Sequence, residues 1–194
     1  MTAPVNFIVH TYEEVNSQLA QGRPFFVDIA RDGIVLCELQ GYPLASPKSL
    51  EPDEARAEAK RYFEHWYPSA SAFQAASEFL VERGNLPEAA FQLHQATERL
   101  YHCVLLVTAL YSPKSHKLKF LRSQAERIAP QLIGIWPNDT KFAKRAFARL
   151  DRAYVDARYS PAFEITIEEL AWLMDHIRAL QEAVAAICAE RIAP

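Results

Sequence analysis

Glycine is scarce in this sequence, with five residues among 194. Gly-rich loops that cradle phosphate and β-sandwiches with many tight turns need more glycine than this, so the low count favours helices.

Cysteine is scarce too. Cys37, Cys103 and Cys188 are widely spaced and odd in number, which excludes a disulfide framework or a paired-cysteine metal site. We expect each to be a reduced apolar residue.

The sequence also lacks a charge excess and a long hydrophobic run. Twenty-one basic and 24 acidic residues leave a formal net charge of −3, so any nucleic-acid contact must come from a local basic surface. The longest apolar stretch, residues 103–111, is far too short to cross a membrane. The N-terminus has no basic start followed by an apolar core, unlike a signal peptide. We therefore expect a cytoplasmic protein without a membrane segment.

Half of the residues are hydrophobic, enough to bury a core, and the length favours one main domain with a smaller piece. We divide the chain into an α+β segment (1–44), a proline-containing linker (45–52) and a helical domain (53–192). The α+β segment is too small to close a core alone, so it should belong to something larger or dock onto the rest. Its predicted elements are a strand at 5–10, a helix at 12–21 capped by Thr11, a helical stretch at 25–31 and a strand at 34–39.

The remainder of the chain is predicted to be an up-and-down antiparallel helical bundle, because long helical patterns are joined by short breaks. Asn138 or Asp139 should cap the fourth helix. Thr166 and Glu169 have capping-box spacing at the start of the fifth. The predicted helices are 52–83, 86–111, 116–128, 139–157 and 166–191.

The helix predicted at 86–111 is apolar nearly all the way round, which is typical of the middle of a bundle or of an interface. His94, Glu98 and His102 are spaced four residues apart and share one face of it, flanked by Gln95 and Arg99. Polar side chains on so apolar a helix must pair, face a cleft or be covered by a partner. The stripe is therefore a satisfied core or dimer-interface network, a functional cleft, or a metal site lacking further ligands.

The helix predicted at 139–157 carries a dense basic stripe, which is either a solvated face or a phosphate-binding surface. Arg158 follows near the border of its apolar face. This arginine could clamp carbonyls at the helix end or bind phosphate. The basic surface consists of Lys141, Arg145, Arg149 and Arg152.

Three separated motifs resemble the HEPN domain family. They are residues 89–102 (AAFQLHQATERLYH), 115–118 (SHKL) and 157–161 (ARYSP), within a resemblance that covers about 53–192. The resemblance implies a helical bundle, a homodimer, and binding of a nucleotide or an RNA phosphate. It implies no resident cofactor or metal, with Mg²⁺ entering only with a nucleotide. The expected ligand-binding residues are His94, Gln95, Glu98, Arg99, His102, His116, Arg158 and Tyr159.

Residues 7–39 resemble the last part of a minimal nucleotidyltransferase domain, which in that family directly precedes a HEPN domain. The chain thus resembles the C-terminal part of a nucleotidyltransferase–HEPN fusion. The Gly-Ser and Asp-x-Asp motifs that hold Mg²⁺ for nucleotidyl transfer are absent from the sequence. We expect no transferase activity from the chain alone. A nucleotidyltransferase domain or subunit is a candidate partner.

Many HEPN proteins are toxin ribonucleases with an Arg, four to six residues, then His, and no arginine here has that spacing. Three hypotheses follow. The first is a nucleotide-binding or nucleotidyltransferase-associated module without catalysis of its own, and the second is a ribonuclease toxin, as in toxin–antitoxin pairs, with a degenerate site. In the second, His102 or His116 would meet Arg99 or Arg158 of the partner chain. The third is a purely structural dimerisation bundle.

Overall fold

The computed structural model describes residues 7–48 and 50–193, and within them the regular structure is helical. A short 3-10 turn at Pro130–Leu132 lies between the helix that ends at Ile128 and the helix that begins at Lys141. The α-helices are α1 (Tyr12–Ala20), α2 (Pro24–Asp32), α3 (Pro52–Glu82), α4 (Leu86–Ala109), α5 (Leu118–Ile128), α6 (Lys141–Tyr159) and α7 (Ile167–Ile192). The predicted helical bundle is confirmed.

Helix α4 is the centre of the bundle. It packs against α3, α5, α6 and α7 of the same chain, and most of its residues are buried. The turn at 83–85 is so short that α3 and α4 pack side by side as an antiparallel pair. The all-round apolar character of α4 is thus explained within one chain. No helix among the described residues is both long enough and apolar enough to span a membrane.

Two details of the predicted helix starts were wrong. Helix α5 begins at Leu118 and not at 116, because His116 takes part in side-chain and backbone contacts with α4. Helix α6 is capped by Thr140 and not by Asn138 or Asp139, since the Thr140 hydroxyl accepts from the Ala143 amide at 3.1 Å. The Thr166–Glu169 capping box of α7 is confirmed.

The two predicted strands of the N-terminal segment were also wrong. Residues 7–10 and 34–39 lie outside any strand, whereas Val5 and Asn6 fall outside the described residues. An apolar run becomes a strand only when a neighbouring strand accepts its backbone hydrogen bonds, and none lies beside these segments in the described structure. The two predicted helices are present as α1 and α2.

The N-terminal segment packs against the bundle through a few specific contacts. The Phe25 ring stacks on Tyr111 at a centroid distance of 3.8 Å, and Arg23 Nη1 donates to Glu58 Oε1 at 2.9 Å. The Lys48 amide donates to the Leu19 carbonyl at 3.0 Å, which ties the linker back to α1. Ser49 of the predicted linker lies outside the described residues. The expectation that this segment docks onto the rest of the chain agrees with these contacts.

Candidate functional site

Glu98 is the centre of a polar network on α4. Its carboxylate Oε1 accepts from His116 Nδ1 at 3.0 Å, and His94 Nδ1 and His102 Nε2 lie 3.6 Å and 3.9 Å from its two oxygens. The four-residue spacing along α4 brings His94 and His102 to either side of Glu98. His116 arrives from the α4–α5 loop (residues 110–117). Tertiary structure thus adds a third imidazole to the stripe predicted from sequence.

His94 is completely buried, and its contacts define its protonation state. Its Nε2 lies 3.1 Å from the His116 carbonyl oxygen and must donate there, which leaves Nδ1 as an acceptor facing the Gln95 amide at 3.4 Å. Burial lowers the pKa of His94 to about 4, even though the His116 carbonyl favours the charged form. His94 is therefore a neutral, hydrogen-bonded part of the core at physiological pH.

His102 is likewise buried, and burial lowers its pKa to about 4. Its Nδ1 lies 2.5 Å from the Ser112 hydroxyl, and its ring lies 5.1 Å from that of Trp66. The 3.9 Å separation between His102 Nε2 and Glu98 is too long for a hydrogen bond. The His102 ring is therefore held mainly by its contact with the Ser112 hydroxyl and by packing against the Trp66 ring.

Glu98 and His116 form the hydrogen-bonded pair through which this network reaches solvent. Burial raises the pKa of Glu98 above its ordinary value, while the hydrogen bond from His116 opposes that shift. Because Glu98 accepts from Nδ1 of His116, the neutral ring carries its lone pair on Nε2. The His116 side chain is 57% exposed. Such an imidazole, oriented by a carboxylate, can accept a proton or a hydrogen bond from a ligand.

An open cleft of about 510 Å³ borders this pair, and we call it the Glu98 cleft. Arg99 on its wall lies over the Trp66 ring at 4.7 Å and forms no ion pair with any residue that the structure describes, although its charge acts at longer range to lower the pKa of Glu98. Lys114 adds a second cation. The cleft is lined by Trp66, Glu98, Arg99, His102, Leu106, Ser112, Pro113, Lys114, Ser115 and His116.

Arg158 lies beside this site and not in the cleft. Its Nε donates to the Tyr154 carbonyl at 2.6 Å, so it does clamp the last turn of α6. The His116 ring stacks on Tyr154 at 4.3 Å, and the Arg158 guanidinium lies 4.3 Å from the same ring. Tyr159 is exposed and contacts only the guanidinium of Arg158 among the ring contacts observed for it. Tyr154 therefore links Arg158 to the cleft indirectly.

Half of the basic surface on α6 is engaged in ion pairs with one buried carboxylate. Glu169 accepts from Arg145 Nε at 2.6 Å and from Arg149 Nη1. Burial alone would raise the pKa of Glu169, but the two arginines and the Thr166 amide outweigh it and lower the pKa. Arg152 pairs with Asp156 at 3.5 Å, and Lys141 is exposed.

The described residues contain no group of three or more His, Cys, Asp or Glu side chains placed to hold a metal ion.

Sequence analysis did not identify Trp66, Ser112 or Lys114 as site residues. Trp66 belongs to α3, more than thirty residues from Glu98, and no local spacing relates the two. Ser112 and Lys114 belong to the α4–α5 loop, where there is no helical periodicity from which to predict the direction of a side chain. Only the packing of α3 against α4 and the path of this loop bring these side chains to the cleft.

Comparison with protein families finds that residues 63–187 match the HEPN domain. This match spans well over half of the chain and includes α4, the α4–α5 loop and α6. The chain therefore belongs to the HEPN domain family. No curated protein matches the sequence significantly.

Proposed function

We propose that this HEPN bundle binds a nucleotide or an RNA phosphate in the Glu98 cleft, without catalysis of its own. The observation that carries the proposal is Arg99, a cation without a carboxylate partner among the described residues, on the wall of an open cleft. A guanidinium held against an aromatic ring presents its N–H donors in a fixed plane, which suits the oxygens of a phosphate.

The other side chains of the cleft complement this anion contact. Lys114 supplies a second positive charge, although it also lies 3.4 Å from Glu14. His116 offers Nε2 to a ligand hydroxyl, and Trp66 provides an apolar wall. The Glu98 carboxylate repels an anion near it, so the phosphate should lie toward Arg99 and the sugar toward His116. Mg²⁺ would enter only with the nucleotide.

Two further ligand contacts are weaker parts of the proposal. Arg158 and Tyr159 stand outside the cleft and would reach only a ligand that extends past Tyr154. On the basic surface, Arg145 and Arg149 are paired with the buried Glu169, so a longer RNA would contact Lys141 and Arg152, whose ion pair with Asp156 lies at the surface. A mononucleotide should therefore depend on Arg99 alone among these arginines.

The proposal includes association with a nucleotidyltransferase domain or subunit. Its basis is the resemblance of residues 7–39 to the last part of such a domain, together with the large apolar side chains exposed there. The absent Gly-Ser and Asp-x-Asp motifs would then be supplied by the partner.

A degenerate ribonuclease is the second candidate, and one observation favours it. Arg99, His102 and His116 line the same cleft within a single chain, so a cation and imidazoles meet without the usual spacing in sequence. Cleavage would use His116 Nε2 to take the proton from a ribose 2′-hydroxyl while its oxygen bonds to phosphorus and the P–O5′ bond breaks, with water protonating the departing 5′-oxygen. The low pKa of His102 makes it a poor proton donor near neutral pH.

A purely structural role remains the third candidate, and His94 favours it locally. This side chain is fully buried with both ring nitrogens in contact with partners, as expected of a core network. The network therefore has a structural part at His94 and an accessible part at His116, which the α4–α5 loop places beside Glu98.

Calorimetric titration with ATP and GTP, with and without Mg²⁺, tests the proposal. Arg99→Gln should weaken micromolar binding at least tenfold, about 1.4 kcal/mol, because it removes the charged phosphate contact. Arg178→Gln on α7 is the matched control, since Arg178 already pairs with Glu78 and Asp175 at the surface. Both variants should melt as the parent does.

The same samples incubated with single-stranded RNA separate the candidates. Intact RNA together with nucleotide binding supports the binding module. Cleavage that is lost in His116→Asn supports the ribonuclease instead. A folded chain that takes up neither ligand, or Arg99→Gln and Arg178→Gln with equal affinities, contradicts the proposed cleft.

A further inference from the structure

Residues 34–39 form an extended apolar segment that nothing in the described structure covers. Ile34, Val35 and Leu36 are 87%, 74% and 94% exposed. The backbone groups of residues 34–38 make no hydrogen bond to any other described residue. A segment of this kind presents a row of free donors and acceptors, the feature by which one strand recruits another.

The apolar residues of this segment occupy both faces of an extended chain. Ile34 and Leu36 point one way in any strand, followed on that face by the charged Glu38, and Val35, Cys37 and Leu39 point the other. A strand at the surface of a sheet alternates apolar with polar residues, whereas a continuous apolar run is typical of a strand covered on both faces. The apolar run of residues 34–37 therefore fits a strand that is covered on both faces, and Glu38 ends the apolar part of one face.

The direction in which this segment leaves α2 is fixed by Gly33. The Gly33 amide donates to the Ile29 carbonyl at 2.8 Å, and a Cβ at this position would clash with that same carbonyl oxygen. Only glycine allows this close approach. The start of the segment borders an apolar groove of about 670 Å³, whose walls include Phe26 and Ile29 of α2 together with Ile34 and Leu44.

The exposed apolar area is large enough for a stable interface. Nine large apolar side chains between residues 7 and 44 are more than half exposed. Together they present roughly 1,000 Å² of apolar surface, against about 800 Å² per partner in a standard protein–protein interface. The members are Phe7, Val9, Ile29, Ile34, Val35, Leu36, Leu39, Tyr42 and Leu44.

A second copy of this chain does not fit as the occupant. The described residues contain no sheet, so two copies would have to build one from separate extended segments, and the ribbon formed by pairing residues 34–39 of each copy is only marginally stable in water. A partner that already has a sheet can pair with the segment, and it can cover both apolar faces.

We propose that residues 34–39 add as a strand to the open edge of a β-sheet in a partner polypeptide, with the apolar side chains around α2 covering one face of that sheet. The partner must therefore have an unpaired edge strand and an uncovered apolar sheet face next to it. Backbone hydrogen bonds would supply register and the apolar faces most of the affinity. This docking rests on the part of the proposed function that places a partner on residues 7–39, and it is independent of ligand binding in the Glu98 cleft, which can fail without it.

Cys37 is a natural probe for the test, because it is exposed within the segment while Cys103 and Cys188 are buried. The rate of maleimide labelling of Cys37 is compared between the purified full chain and the chain in its native cells. A Val155→Cys variant, at an exposed position on α6, reports general access. We expect Cys37 to react at least tenfold more slowly in cells, with position 155 unchanged. Equal Cys37 rates in the two samples overturn the proposal.

A photo-crosslinking residue at position 39 then identifies what covers the segment, with position 79 on α3 as the exposed apolar control. Adducts that map to an edge strand of a sheet-containing protein support the proposal. Adducts to a helix, a loop or a second copy overturn it. Val35→Pro and Leu36→Pro remove successive backbone donors and should restore fast Cys37 labelling, whereas Val35→Thr keeps the donor and should retain protection.

Discussion

Three buried polar side chains of α4, those of His94, Glu98 and Tyr101, have hydrogen-bond partners from another part of the fold. The His116 carbonyl accepts from His94, the His116 ring donates to Glu98, and Trp136 Nε1 donates to the Tyr101 hydroxyl at 2.8 Å. Buried polar groups are tolerated only when they are paired in this way. A substitution that removes one partner of such a pair and leaves the other buried should therefore lower the free energy of unfolding.

The two buried histidines should make the folded state less stable in mild acid. Their pKa values of about 4 lie below the ordinary 6.5, so the unfolded chain binds more protons and the free energy of unfolding falls as the pH drops from about 6.5 to 4. Glu98, with its raised pKa, takes up a proton in the folded state and offsets part of this loss. We expect a net loss on the order of 2–4 kcal/mol.

Denaturant unfolding between pH 7.5 and 4.5 measures this loss. His94→Gln should reduce the slope of stability against pH, and His65→Gln on the exposed surface of α3 should leave it unchanged. A parent protein equally stable at both ends of the range would contradict the assignment of neutral buried histidines.

Tyr101→Phe should lower the free energy of unfolding by about 1–3 kcal/mol. The substitution removes only the hydroxyl that accepts from the Trp136 indole. Both side chains are almost fully buried, so the indole N–H loses its hydrogen bond without gaining one from water. Thermal melting with near-ultraviolet circular dichroism measures the change. Tyr159→Phe, at an exposed position, is the control and should melt as the parent does.

At the scale of helices, Glu169 joins α6 to α7. Its buried carboxylate accepts from Arg145 and Arg149 on α6 and, through the capping box, from the Thr166 amide at the start of α7. The basic stripe of α6 is thus partly a helix-packing device, which limits the part of it that is free to bind phosphate. The stripe pattern in sequence gives no sign of Glu169, which lies 20 residues beyond Arg149.

Changes at this junction should rank in a definite order. Thr166→Ala removes one capping hydrogen bond and should cost about 1 kcal/mol. Glu169→Gln removes the negative charge and replaces one of the two oxygens that accept from the arginines with an NH₂ group, and it should cost more, on the order of 2–3 kcal/mol. Urea unfolding measures both, with Glu190→Gln at an exposed position as the control. A larger loss for Thr166→Ala would contradict the assigned role of Glu169.

For the whole molecule, the structure removes one argument for a dimer. The apolar character of α4 suggested either a bundle centre or an interface, and α3, α5, α6 and α7 of the same chain cover it. The homodimer now depends on the resemblance to dimeric HEPN proteins.

We still expect a homodimer, and light scattering of the purified chain should give twice the mass of one chain at micromolar concentration. The mass should not change in Val35→Pro, since the proposed strand partner is a different polypeptide. A monomer at all concentrations contradicts the dimer, and a mass that falls in Val35→Pro places the exposed strand in a self-interface.

Helices and their order were predictable because they depend on local periodicity and breaks. Thr166 and Glu169 show this best, since the capping box needs only residues three apart. The two strands predicted at 5–10 and 34–39 were wrong, because a strand forms only beside a partner strand, and the apolar pattern does not show whether such a partner is present. Of the candidate site, the α4 stripe was predicted, whereas Trp66 and Ser112 required the packed structure.

The sequence by itself determined a helical bundle around α4 and a polar stripe of His94, Glu98 and His102, since both follow from spacing along one helix. Only tertiary structure decided that both histidines of that stripe are buried and that the accessible imidazole is His116 of the loop. The α4–α5 loop covers His94 with a backbone carbonyl and places His116 beside Glu98, next to a cleft lined by Arg99. Burial and the path of a loop are properties of packing, and helical periodicity does not encode them.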